Sequence, residues 1–82
     1  MLPNLQELNC NNNNLISLPY NLSKMFLNLQ ELWCNNNNLS SLPLSLMNCK
    51  KLKEINYNYN TINNLPNQLL KFINTLKQNN IN

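Results

Sequence analysis

The stretch FLNLQELWCNNNNLSSLPLSL, Phe26 to Leu46, decides how the rest of the chain is read. Upstream, LPNLQELNCNNNNLISLPYNL from Leu2 to Leu22 repeats it almost letter for letter. Downstream, CKKLKEINYNYNTINNLPNQL from Cys49 to Leu69 keeps the same frame with more substitutions. A fourth copy, INTLKQNNIN, begins at Ile73. The starts at 2, 26, 49 and 73 give periods of 24, 23 and 24 residues. Self-similarity at such a fixed period marks a repeat architecture.

Seven apolar columns run through the units. They are Leu2, Leu5, Leu8, Cys10, Leu15, Leu18 and Leu22 in the first. The second has Phe26, Leu29, Leu32, Cys34, Leu39, Leu42 and Leu46, and the third Cys49, Leu52, Ile55, Tyr57, Ile62, Leu65 and Leu69. All 21 positions are apolar in a chain that is 43% apolar. This register matters because 23 Asn and 18 Leu make up half of the 82 residues, and Asn-rich tracts can be disordered or prone to β-aggregation. A disordered polar tract does not keep seven columns in step.

Around each LxLxx the pattern alternates, so Leu8 and Cys10 share one face while Glu7, Asn9 and Asn11 share the other. One such rung cannot bury its apolar side alone, but stacked rungs form a continuous core. Pro19, Pro43 and Pro66 each follow a Leu; without an N–H and with φ fixed, they suit the turn away from a sheet. The stretches 20–26, 44–48 and 67–72 are then expected to return as short helical or 3₁₀ turns.

The motif LxxLxLxxNxL in register, followed by Leu-Pro at 18–19, 42–43 and 65–66, resembles the leucine-rich repeat family over essentially the whole chain. The resemblance implies an α/β fold: a right-handed solenoid, a short horseshoe arc with a parallel sheet on its concave face. It implies a single domain over 2–82, with repeats 2–25, 26–48 and 49–72, a partial repeat 73–82 and no separate caps. It also implies a non-catalytic module for protein–protein interaction through the concave sheet. The alternative is a structural or degenerate fragment of a larger repeat protein with no independent binding role. The wording LQEL-C-NNNNL-SLP also looks like short Asn-rich repeat proteins of giant DNA viruses and some bacterial effectors. The lack of Ala, Gly and Arg, whose codons are largely GC-rich, beside the excess of Asn, whose codons are AT-rich, fits a very AT-rich genome.

Composition narrows the chemistry. With no His or Asp, a Ser-His-Asp triad, a HExxH zinc site and an EF-hand loop are excluded. With no Gly, so are the phosphate-cradling loops of nucleotide enzymes. No enzyme activity, metal or cofactor is expected. The net charge of +3 comes from six Lys against three Glu, and the absence of Arg argues against nucleic acid as a partner. No window approaches a membrane-spanning length, and the N-terminus lacks the basic and apolar regions of a signal peptide. Three widely spaced cysteines form neither a disulfide framework nor a zinc motif, which points to a reducing cytoplasmic compartment (the host's, for a viral protein).

Asn13, Asn37 and Asn60 occupy the family's Asn position, where an inward amide satisfies backbone groups left unpaired by the turning chain. Asn12, Asn14, Asn36 and Asn38 are expected on turns that tolerate the left-handed region. Cys10, Cys34 and Cys49 read as small buried hydrophobes. The concave face is expected to carry Glu7, Glu31, Glu54 and Gln78 in one row, Asn9, Trp33, Asn56 and Asn80 in the next, and Asn11, Asn35, Asn58 and Asn82 in a third. Trp33, the single tryptophan, is the leading candidate to anchor a partner, with Asn9, Asn35 and Asn56 around it and Tyr59 extending an aromatic patch. Glu7, Glu31 and Glu54 would favour a basic segment of a protein or peptide. Lys50, Lys51 and Lys53 read as a solvated patch. The open strand edges at both ends predict end-to-end self-association.

Overall fold

The computed structural model describes residues 4–79. Strands β1 (Glu7–Asn9), β2 (Glu31–Trp33) and β3 (Glu54–Asn56) form one parallel sheet in the order β1-β2-β3. Helix α1 (Leu22–Met25) connects the first two strands, a 3₁₀ segment (Leu44–Asn48) connects the next two, and helix α2 (Asn67–Asn79) follows β3. The protein is thus a small α/β fold. Leu8, Leu32 and Ile55 lie side by side across the strands, as do Glu7, Glu31 and Glu54, and Asn9, Trp33 and Asn56. The ladder runs past the strand ends: the Cys10 N–H donates to the Trp33 carbonyl at 2.7 Å, and the Cys34 N–H to the Asn56 carbonyl at 2.8 Å.

The two connections explain the unequal periods. Leu22 to Phe26 takes four steps and Leu46 to Cys49 takes three. The first is α-helical and the second 3₁₀. A 3₁₀ turn rises about 2.0 Å per residue against about 1.5 Å in an α-helix, so one residue fewer covers the same span.

The apolar columns form the core. All seven residues of the middle unit are buried, because it has a neighbour on either side. In the first unit Leu18 and Leu22 are buried while Leu5, Leu8, Cys10 and Leu15 are half-buried. In the third, Cys49, Leu52, Ile55 and Leu69 are buried, with Tyr57, Ile62 and Leu65 half-buried. Leu2 lies outside the described residues.

The fourth copy departs from expectation. Asn67–Asn79 is a single helix, so residues 73–79 add no fourth strand and Gln78 does not continue the row of Glu7, Glu31 and Glu54. Leu69, Ile73 and Leu76 recur at i, i+4 and i+7, the spacing of a helix face, and no Pro interrupts the run after Pro66. Asn79 stands where Leu8, Leu32 and Ile55 supply the inward strand residue, so this copy has none to offer. The helix buries Leu69 and Ile73 and packs on β3 and the 3₁₀ segment. The third unit is therefore covered by a helix where an open end was expected. Asn80, Ile81 and Asn82 lie outside the described residues.

The Asn tracts divide into distinct jobs. Asn37 is only 6% exposed, and its Oδ1 accepts from the backbone N–H groups of Asn13 and Leu15, both at 3.0 Å. Its Nδ2 donates to the carbonyls of Cys10, Cys34 and Asn35 at 3.1, 3.1 and 3.2 Å. Asn60 does the same one unit on, accepting from the Leu39 N–H at 3.1 Å and donating to Cys34, Tyr57 and Asn58 carbonyls. Asn13 donates to the carbonyls of Cys10 and Asn11, both at 2.9 Å. Asn12, Asn14 and Asn36 have φ of 62°, 51° and 57°. Asn38 is not among the positive-φ residues, whereas Tyr59 is, at 58°.

Two outcomes follow. Replacing Asn37 with Ala strands two N–H groups and several carbonyls of two units; urea denaturation should show a loss of at least ~2 kcal/mol, against a smaller loss for Asn13→Ala. Tyr59→Asn relieves a bulky residue in the left-handed region, and the same measurement should show a gain of about 0.5–1 kcal/mol.

Candidate interaction face

Alternation along the strands separates two faces. Leu32 and Ile55 point into the core, while their neighbours Glu31, Trp33, Glu54 and Asn56 are only half-buried, and Glu7 and Asn9 are exposed. Trp33 belongs to no part of the apolar core cluster. It lies in the middle of the outer face, between Asn9 and Asn56. The ring is partly covered, and its Nε1–H is shielded from solvent with no acceptor among the described residues. An unpaired buried donor costs about 1–3 kcal/mol.

The flanking amides differ in freedom. Asn9 Oδ1 accepts from the Asn11 N–H at 3.0 Å, and Asn56 Nδ2 donates to Glu54 Oε2 at 2.8 Å. Asn35, expected to meet a partner, has its side chain engaged within the fold: its Oδ1 accepts from the Asn58 N–H at 2.7 Å, as Asn11 Oδ1 does from the Asn35 N–H at 2.7 Å. This column is a second amide ladder, which the sequence reading assigned wholly to the surface. Tyr59, 81% exposed, sits on a turn and not on the strand face.

Glu7, Glu31 and Glu54 are adjacent in register, so the acidic row exists as expected. Its third member shares a groove with two lysines. A groove of about 320 Å³ between β3 and α2 is lined by Lys53, Glu54, Asn56, Leu76 and Lys77 among others. Lys77 Nζ lies 5.8 Å from the centre of the Tyr57 ring. That groove was not foreseen, because it requires residues 73–79 to be helical. Lys50, Lys51 and Lys53 are exposed, and Lys51 Nζ donates to Asn28 Oδ1 at 2.8 Å. On the return side, Ile16 and Tyr20 are 75% and 87% exposed. Both stand outside the seven columns, which is the signal that marks them in the sequence.

The cysteines are free thiols. Burial, reinforced by the neighbouring Cys10, pushes the Cys34 thiol from 9.0 up to about 12. Burial raises Cys10 and Cys49 as well. Cys34 donates its S–H to the Asn56 carbonyl at 3.3 Å, as a packed structural residue would. Among the described residues no three potential ligands gather to hold a metal ion, and no helix is long and apolar enough to cross a membrane.

No protein-family model matches the chain, and no curated protein and no solved structure matches it either.

The thiols supply a test. In the native protein Cys34 should react with a maleimide far more slowly than Cys10, with urea abolishing the difference. The unfolded chain loses the Cys34 proton near pH 9.0 while the folded one keeps it to about 12. The unfolded state thus binds fewer protons in that window, so stability should fall as pH rises through it, with a shallower slope for Cys34→Ala.

Proposed function

We propose that this chain is a leucine-rich-repeat solenoid that works as a non-catalytic interaction module, holding a protein or peptide segment on the outer face of its sheet. The repeat register in the sequence and the three parallel strands in step support the scaffold reading. The observation that carries the function is Trp33, a large side chain set off the core, half-buried and central on a polar sheet face. Aromatic residues in that setting are the ones on which binding energy concentrates. Glu7 and Glu31 beside it suit a basic segment, while Glu54 is occupied by Asn56 and flanked by Lys53. A partner's Lys or Arg, its charged end offered to the carboxylates and its aliphatic stem laid along the indole, would complete the recognition.

Affinity capture with the chain as bait tests this. Trp33→Ala should lower capture about tenfold or more. Glu31→Ala should produce a smaller loss that shrinks as salt is raised. Circular dichroism should stay unchanged in both. Undiminished capture by Trp33→Ala would remove the site.

A further inference from the structure

The two ends of the sheet are unequal. Helix α2 packs on β3, but among the described residues no strand lies beside β1 on the side away from β2. Next to that free edge opens a groove of about 480 Å³, lined by Leu8, Cys10, Leu15, Leu18, Pro19 and Phe26 among others. Gln6 offers its carbonyl to the Gln30 and Glu31 N–H groups, and Cys10 donates to Trp33, so the even-numbered residues of the first strand direct their peptide groups at β2. By the alternation of a ladder, the N–H and C=O of Glu7 and Asn9 point to the free edge.

We propose that the occupant of this edge is the same edge of a second copy of the chain. At the far end a second molecule would meet α2, which packs on β3, whereas the β1 edge carries no such cover among the described residues. The surface left is self-complementary, and pairing it about a two-fold axis closes at a dimer, where a head-to-tail contact would run on as a filament. Antiparallel pairing with Leu8 opposite Leu8 of the second copy brings Glu7 opposite Asn9 twice over. All the outward N–H and C=O groups of Glu7 and Asn9 then find partners, the two apolar grooves meet on the core side, and six strands form one sheet.

Charge chooses this register. Setting Glu7 against Glu7 of the second copy would stack like charges across the interface. The shifted register sets an amide against each carboxylate, a pairing the fold already makes where Asn56 Nδ2 donates to Glu54 Oε2 at 2.8 Å. The inference does not depend on the Trp33 reading, since the pairing leaves both outer faces on one side of the joint sheet.

Analytical ultracentrifugation of the full chain from micromolar to millimolar concentration tests it. The expected result is a monomer–dimer equilibrium with no larger species. Asn9→Glu should raise the dimer Kd about tenfold, since it places two carboxylate pairs in contact, and Asn9→Lys should lower it by a similar factor at low salt. Should Asn9→Glu fail to fold by circular dichroism, Asn9→Lys and the unaltered chain carry the test. A monomer throughout the range, a ladder of larger oligomers, or a dimer indifferent to both charges would overturn the proposal.

Discussion

The fold hangs on one amide. A chain that turns out of a strand and runs back must leave backbone N–H and C=O groups turned inward, where water does not reach them. Asn37 meets that need for two units at once, accepting from Asn13 and Leu15 and donating to Cys10 and Cys34. Asn60 repeats the arrangement between the second and third units. Leucine burial makes neighbouring units attract, but it is non-directional. The bridging amides fix which backbone groups lie opposite each other, and the register of the strands follows.

That register places the candidate interaction face. Once Leu8, Leu32 and Ile55 are aligned inward, the residues on either side of them must be aligned outward, as an acidic row and a row centred on Trp33. The same constraint explains why the middle unit is the most deeply buried and the first the least. Each unit is sealed only by its neighbours. The third has α2 to cover it, whereas the free edge of the first has no counterpart among the described residues.

Much of this was legible in the residues, but unevenly. The inward columns and the place of Asn13, Asn37 and Asn60 could be read from spacing, because a period of 23 to 24 residues with a two-residue alternation inside it leaves little choice of face. Within NNNN at 11–14 and 35–38 the inward Asn37 and the left-handed Asn12, Asn14 and Asn36 were legible as well, but the ladder of Asn11 and Asn35 was not. An outward side chain at a strand end carries no local sign that it will meet a backbone N–H of the next unit. Tyr59 misled for a related reason: its position is chosen by turn geometry and tolerates an aromatic ring, so its chemistry suggested a patch that the backbone does not build.

The sequence by itself determined the repeat, its apolar columns, its inward amides and the rows that share the outer face, since each follows from periodicity and from what a strand can bury. Only the tertiary structure decided the fate of residues 73–79 and, with it, the difference between the two ends. Leu69, Ile73 and Leu76 satisfy the spacing of a rung and of a helix equally well. The choice rests on whether a strand there would have an inward residue to bury beside Ile55, and Asn79 does not supply one. A helix that sets Leu69 and Ile73 against the third unit does.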